Sequence, residues 1–230
     1  DLDWPENVKD LQRNWIGKSI GCNVKFKISS INENITVFTT RPDTLFGATY
    51  LVIAPEHNLV SDLIENKDIQ SYCANAAKKS ELQRSDLDKS KTGVFSGMYA
   101  VHPITGNKVP VWIADYVMMN YGTGAIMAVP GHDQRDHEFA KKYDINIVKV
   151  VDDGNDVSIK DEAFTEHGVC VNSDFLDGLK TKDAINRMID YLTEHSLGKK
   201  SITYRLKDWL ISRQRYWGTP IPIVYDPKGN

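Results

Sequence analysis

The chain is 230 residues long with a 41% hydrophobic share, enough for one large domain or a domain with appended pieces, and typical of a globular protein. Its formal net charge of −3 excludes nucleic-acid binding through a globally basic surface and leaves only a local patch or a small, deeply held ligand end. No apolar run approaches the roughly 20 residues of a membrane-spanning helix, and three widely spaced cysteines, Cys22, Cys73 and Cys170, argue against a disulfide framework or a CxxC zinc site and fit a reducing compartment.

The chain opens Asp-Leu-Asp-Trp-Pro, with neither an initiator Met nor a signal-peptide pattern, and reads as an excised fragment. Val8, Leu11, Trp15 and Ile16 recur at helical spacing, and the pattern stops at Gly17. Val24–Ile28 alternates as a half-buried strand, Asn32-Glu33-Asn34 supplies a hairpin turn, and Ile35–Thr40 returns. Ala48–Ala54 is almost wholly apolar, as in a strand covered on both faces. His57–Lys79 carries the helical stripe Leu59, Val60, Leu63 and Ile64, and the charged stretch Ser80–Thr92 reads as an exposed connection. Strands are expected at Val94–Val101, Val109–Ala114 and Gly124–Val129, a helix over Asp133–Tyr143, and strands at Ile147–Val151 and Gly168–Asn172, with a surface loop over 152–162. Thr181–His195 is an amphipathic helix with Thr181 as its N-cap. Ile202–Leu206 and Trp209–Ile211 lead into the apolar Pro220–Val224. Many short strands with helices at irregular intervals predict a mixed α/β, mainly β fold. Its core is a closed or nearly closed β-barrel decorated by peripheral α-helices, not a doubly wound sheet.

Two segments carry candidate chemistry. Thr39-Thr40-Arg41-Pro42-Asp43-Thr44-Leu45-Phe46-Gly47 stands at a strand end, where hydroxyls can grip an oxygen-rich ligand without adding charge. Tyr121-Gly122-Thr123-Gly124 departs from GxGxxG, since Met127 falls where the third glycine belongs, and reads equally as a tight turn. Asp133 and Asp136 lie three apart and share a helix face. They suit an ammonium receptor, but an N-cap Asp with a second acid one turn on is also an ordinary helix start. His132 and His137 are five apart and cannot clamp a metal from one helix face. Hydroxyls, main chain and carboxylates without a nucleophile suit a ligand with an ammonium beside an ester or amide, attacked by a held water.

These two segments resemble the editing (connective polypeptide 1) domain of leucyl-tRNA synthetases of bacterial or organellar type. Gln12–Ser19 resembles the chain entering that insertion from the catalytic domain, and Asp208-Trp209 with Ser212–Gly218 resembles its return. The resemblance implies an incoming linker over 1–20, an editing domain over 21–205 and a return linker over 206–230. Asp43 separates the chain from the isoleucine enzymes, which resemble it at the double Thr but usually carry Trp at that place, and from the valine enzymes, which tend to carry Glu there and lack the Met127–Gly131 run; an editing domain of those types, or a non-catalytic tRNA-binding module, is the alternative.

The implied activity is hydrolysis of the ester on leucine tRNA mischarged with norvaline, isoleucine or methionine. One methylene gives a synthetic site only ~1–3 kcal/mol of discrimination, so a second sieve is needed. The resemblance implies that Asp136 holds the substrate ammonium and that Thr39 and Thr40 bond the ester or ribose and place the water. Asp133 supports the catalytic end, and Thr44 blocks leucine's branched methyl. Tyr121, Met127, Val129 and His132 line the binding side, while Arg41 contacts the tRNA end or braces Asp43. Editing itself would need no metal or cofactor; ATP and Mg belong to the catalytic domain of the parent enzyme. Neither a HIGH-type nor a KMSKS-type signature is found, so this stretch is not expected to charge tRNA. The implied partners are the 3′ end of mischarged leucine tRNA and the synthetase's own catalytic domain, for a monomeric fragment in the cytoplasm or an organellar matrix.

Overall fold

Alternation of apolar and polar residues sets the first hairpin. In β1 (Lys18–Ile28) the side chains of Cys22, Val24, Phe26 and Ile28 are buried while Lys25 and Lys27 are exposed. β2 (Asn34–Thr39) returns antiparallel, pairing Val24 with Val37, Phe26 with Ile35 and Cys22 with Thr39. A slip of one residue would turn the apolar set to water, so the pattern fixes the register. That register brings Thr39 to the strand end beside Gly21, where any side chain would collide with the Thr39 carbonyl.

This computed structural model describes residues 3–61, 63, 66–80, 83–84, 91–119, 122–154 and 158–206, with the backbone alone at 215–216 and 219–220. β3 (Tyr50–Ile53) is buried at all four positions, as its apolar run requires. It pairs in parallel with β5 (Lys108–Ala114) and antiparallel with β6 (Ala125–Ala128). Each fully buried side chain of the Leu51 and Ile53 kind contributes about 1.5–3 kcal/mol. β4 (Gly93–Val101) forms a hairpin with β5, irregular between Phe95 and Tyr99. The strand order is β2-β1-β4-β5-β3-β6, with β9 (Gly198–Tyr204) added on β1. β7 (Val151–Asp152) and β8 (Val169–Cys170) form a separate ladder, as do β10 (Arg215–Tyr216) and β11 (Thr219–Pro220). The helices are α1 (Glu6–Ile16), α2 (Asn58–Ser61), α3 (Lys67–Ala76), α4 (Gln134–Lys142) and α5 (Thr181–Glu194).

The chain thus has a mixed, mainly sheet fold, but the expected closed barrel is not found. β2 and β6, the two ends of the strand path, approach each other, yet no ladder joins them among the described residues. Residues of both edges instead line a pocket.

Other expectations are corrected by long-range bonds. The strand expected at Ile147–Val151 is found only at Val151–Asp152, and the N–H groups of Val150 and Val151 both donate to the His132 ring. Thr181 is not an N-cap: Lys180 holds that position, and the Thr181 hydroxyl bonds instead to the N–H and C=O of Gly168. The single helical region at 57–79 is two helices. The second is started by Asn66, whose side chain accepts from the N–H groups of Asp68 and Ile69. The 80–92 connection is described only in part, and residues 209–211 and 221–224 lie outside the described residues.

The contacts divide the chain into two compact units, one of the described residues of 1–19 and 204–230, the other of Ile20–Thr203. In the first, α1 ends at Gly17 in the left-handed region (φ 60°) and buries none of its side chains within the chain. In the second, one cluster centred on Leu51, Phe26 and Met188 and a smaller one around Tyr50 and Phe139 form the core. No helix among the described residues is long and apolar enough to cross a membrane.

Candidate functional site

The first wall of the pocket grows out of β2. After Thr39 the chain leaves the sheet and Pro42–Gly47 winds into a 3₁₀ turn, with proline supplying the starting φ. The Thr39 hydroxyl oxygen accepts the Arg41 N–H at 3.0 Å, which leaves its own proton free to donate. Thr40 is exposed. Thr44 is buried, and its hydroxyl donates to the Arg41 carbonyl at 2.9 Å, which fixes the side-chain rotamer. His102 braces the same turn from the β4–β5 connection. Its Nε2 donates to the Leu45 carbonyl at 2.9 Å and its Nδ1 accepts from the N–H groups of Ile104 and Thr105.

Of the two roles the sequence leaves open for Arg41, the structure shows the brace. Its guanidinium makes three contacts of 2.9–3.2 Å with the fully buried Asp43 carboxylate. Arg41→Ala would strand that carboxylate, and breaking a buried pair costs about 3–5 kcal/mol. Asp43→Ala is expected to cost less, because the 24% exposed Arg41 side chain can turn to water. Urea denaturation of both variants gives the ranking; an Asp43→Ala chain less stable than Arg41→Ala would contradict it.

The second wall is β6 followed by residues 129–133 and α4. The Val129 carbonyl accepts from the N–H groups of His132 and Asp133, which folds the chain into a tight turn. Asp133 is the N-cap of α4, accepting from the N–H groups of Arg135 (2.9 Å) and Asp136 (3.2 Å). The Arg135 guanidinium grips the same carboxylate at 3.0–3.2 Å. Burial alone would raise the Asp133 pKa, but those donors and the Arg135 charge outweigh it and hold the group below the usual carboxylate range.

Asp136 has the opposite environment. It is 4% exposed; its Oδ2 accepts the Val129 N–H at 2.8 Å, and its Oδ1 has no hydrogen-bond partner among the described residues. Burial, and then the neighbouring Asp133 charge, push its pKa well above 3.8 against the pull of the Val129 N–H and Arg135. Two carboxylates three residues apart are thus driven in opposite directions, one satisfied and one short of a positive partner.

The two walls enclose a cavity of about 260 Å3. Thr39, Thr40, Arg41 and Thr44 line it from one side and Met127, Val129, His132, Asp133 and Asp136 from the other, so nine of the ten residues singled out from the sequence meet there. The tenth, Tyr121, lies outside the described residues. Phe38, Ile126 and Arg135 also line the cavity and were not singled out. Phe38 and Ile126 are direct neighbours of named residues, and Arg135 stands between the two aspartates. His132 lines the wall with both ring nitrogens taken: Nε2 accepts from the N–H groups of Val150 (2.9 Å) and Val151 (3.0 Å), and Nδ1 donates to the Phe164 carbonyl at 2.8 Å. Its ring is therefore committed to main chain and offers a ligand no hydrogen bond.

Residues 13–193 match the family described as leucyl-tRNA synthetase, editing domain, and residues 181–230 match class I tRNA synthetases (I, L, M and V). Among solved structures, a LeuRS of Agrobacterium radiobacter, crystallised as a ternary complex with tRNA and LeuAMS, is similar at 36% identity with a TM-score of 0.74. That similarity covers 98% of this chain and 25% of the other, so the chain spans about a quarter of that relative's length. The motif-bearing walls lie inside the matched residues, and the chain belongs to the leucyl-tRNA synthetase editing-domain family.

Proposed function

We propose that this chain is a post-transfer editing domain that hydrolyses the ester of leucine tRNA mischarged with norvaline, isoleucine or methionine and spares leucyl-tRNA. The observation that carries the reading is the buried Asp136 carboxylate, one oxygen unpartnered, in a pocket whose far wall presents threonine hydroxyls. Such a carboxylate is a receptor for an ammonium, and an aminoacyl ester carries one beside its carbonyl. Asp136 anchors the amino group, and Met127 and Val129 contact the side chain. Thr39, its hydroxyl proton free, donates to the ester oxygens, and Thr40 at the exposed side meets the ribose and helps place the water. Arg41 with Asp43, and Arg135 with Asp133, keep the two walls in shape.

The water attacks the carbonyl carbon, the bond from that carbon to the ribose oxygen breaks, and the proton passes to the departing oxygen. The free hydroxyl of the same ribose is suitably close to relay it. Asp133 is occupied by Arg135 and His132 by main chain, so neither is placed as a general base. Catalysis then rests on orientation and on donors aimed at the developing oxyanion. In the full-length parent this domain would act beside an ATP-dependent site that attaches leucine to the same tRNA.

The test is deacylation by the chain itself at high protein concentration. Isoleucyl- and norvalyl-tRNA are expected to lose their amino acid at least about tenfold faster than leucyl-tRNA, the discrimination one methyl group can provide. Equal, background-level loss of all three, with tRNA binding verified, would refute the reading.

A further inference from the structure

A stretch of main chain, residues 148–151, lies against both walls of the pocket. On one side Gly47, which ends the 3₁₀ turn that carries Thr44, packs so closely that an added methyl would stand 2.9 Å from Val150 Cγ2 and 3.2 Å from Val129 Cγ1. On the other, Gly131 abuts the Val148 carbonyl, and its own carbonyl accepts the Phe164 N–H at 2.9 Å. The His132 ring joins these parts. It takes the N–H groups of Val150 and Val151 on Nε2 and gives its Nδ1 proton to the Phe164 carbonyl. Two donors facing Nε2 leave no room for a proton there, so the ring is neutral and its tautomer is fixed.

We propose that His132 is a positioning residue for hydrolysis: its ring fastens the turn that carries Asp133 and Asp136 to residues 148–151, and through them to the wall that carries Thr44. The proposal rests on the editing reading but assigns His132 a role that touches no substrate. Protonation of Nε2 would set a third proton against two N–H donors and release the fastening. The charged groups facing the ring are Arg41, Asp43 and Lys149, with Asp133 next in sequence and Asp152 paired to Lys149. Burial holds the His132 pKa below its ordinary 6.5, reinforced by Arg41 and Lys149 and opposed by the Phe164 carbonyl and Asp43. A histidine depressed in this way keeps its contribution above 6.5 and loses it as the pH falls through the folded-state value.

The experiment follows single-turnover deacylation of mischarged tRNA between about pH 5 and 8, together with the ¹⁵N shifts of the His132 ring in the same chain. Nδ1 is expected to carry the proton near neutrality, and the ring is expected to titrate together with an acid limb in the rate. His132→Phe, which keeps the bulk and loses both bonds, should lower the rate at least about tenfold with a much smaller effect on KM. His132→Gln, with one amide donor and one carbonyl acceptor, should recover about tenfold over His132→Phe and lose the part of the limb that follows the ring. A proton on Nε2 near neutrality, or a ring that titrates apart from the limb, would overturn the proposal from the wild-type chain alone, whether or not the variants fold. Full activity of His132→Phe would overturn it as well. A wild-type chain inactive at every pH would instead remove the editing reading, and this proposal with it.

Discussion

Asp136→Asn is expected to lose most of its deacylating activity while the folded chain becomes no less stable. The two halves of that result have one cause. Asp136 is buried with one oxygen unpartnered, and burial together with Asp133 raises its pKa well above 3.8. A carboxyl whose folded-state pKa is raised favours the fold while it is protonated, and that advantage is lost as the pH rises from 3.8 through the folded value. At neutral pH the buried carboxyl is therefore a burden on the empty protein, which a bound ammonium relieves. Asparagine keeps the shape and an oxygen for the Val129 N–H and removes the burden, so the melting temperature should hold or rise. What it cannot do is pair with an ammonium. Removing one partner from a buried charged pair costs about 3–5 kcal/mol, or roughly a hundredfold to several thousandfold in kcat/KM. Asp136→Ala would blur the outcome, since it also strands the Val129 N–H. Deacylation rates and thermal melts of Asp136→Asn at neutral pH decide the matter. A rate within about threefold of wild type would remove Asp136 from the role of ammonium anchor.

The ingredients of this site were legible because they sit in local patterns. Alternation in Val24–Ile28 and Ile35–Val37 fixed a hairpin whose register puts Thr39 at a strand end. An Asp before a helical run read as an N-cap, and Asp133 is one. Legibility ended where a partner lies far along the chain. The two aspartates looked alike in sequence; what separates them is Arg135 on one and an unanswered oxygen on the other. The His132 bonds span 18 to 32 residues, and no spacing rule anticipates them. Those same bonds take up the N–H groups of Val150 and Val151, inside the strand expected at Ile147–Val151. The barrel failed for a related reason. Closure depends on how the first and last strands meet, a property of the whole strand order and of no single segment. At that junction the chain places the pocket and not a ladder.

Thr44→Ala is expected to turn leucyl-tRNA into a substrate. Thr44 is 2% exposed and lines the cavity, and the bond from its hydroxyl to the Arg41 carbonyl permits one rotamer. A β-branched side chain locked in this way holds its methyl in one place, so it works as a fixed steric stop and not as a mobile one. Alanine deletes both the methyl and the bond that oriented it, and opens room for about one branch of a leucine side chain. A methyl group in a fitted pocket is worth about 1–3 kcal/mol, so leucyl-tRNA hydrolysis should rise about 10–200-fold while norvalyl-tRNA, already accommodated, changes little. The lost hydrogen bond should cost about 1 kcal/mol of stability, too little to unfold the chain. Thr44→Val separates the two contributions, because it keeps a branched stop and loses only the hydroxyl. It should still spare leucyl-tRNA. If Thr44→Ala leaves leucyl-tRNA as durable as wild type does, leucine is refused elsewhere in the pocket. If Thr44→Val hydrolyses it as fast as Thr44→Ala, the hydroxyl and not the methyl sets the sieve.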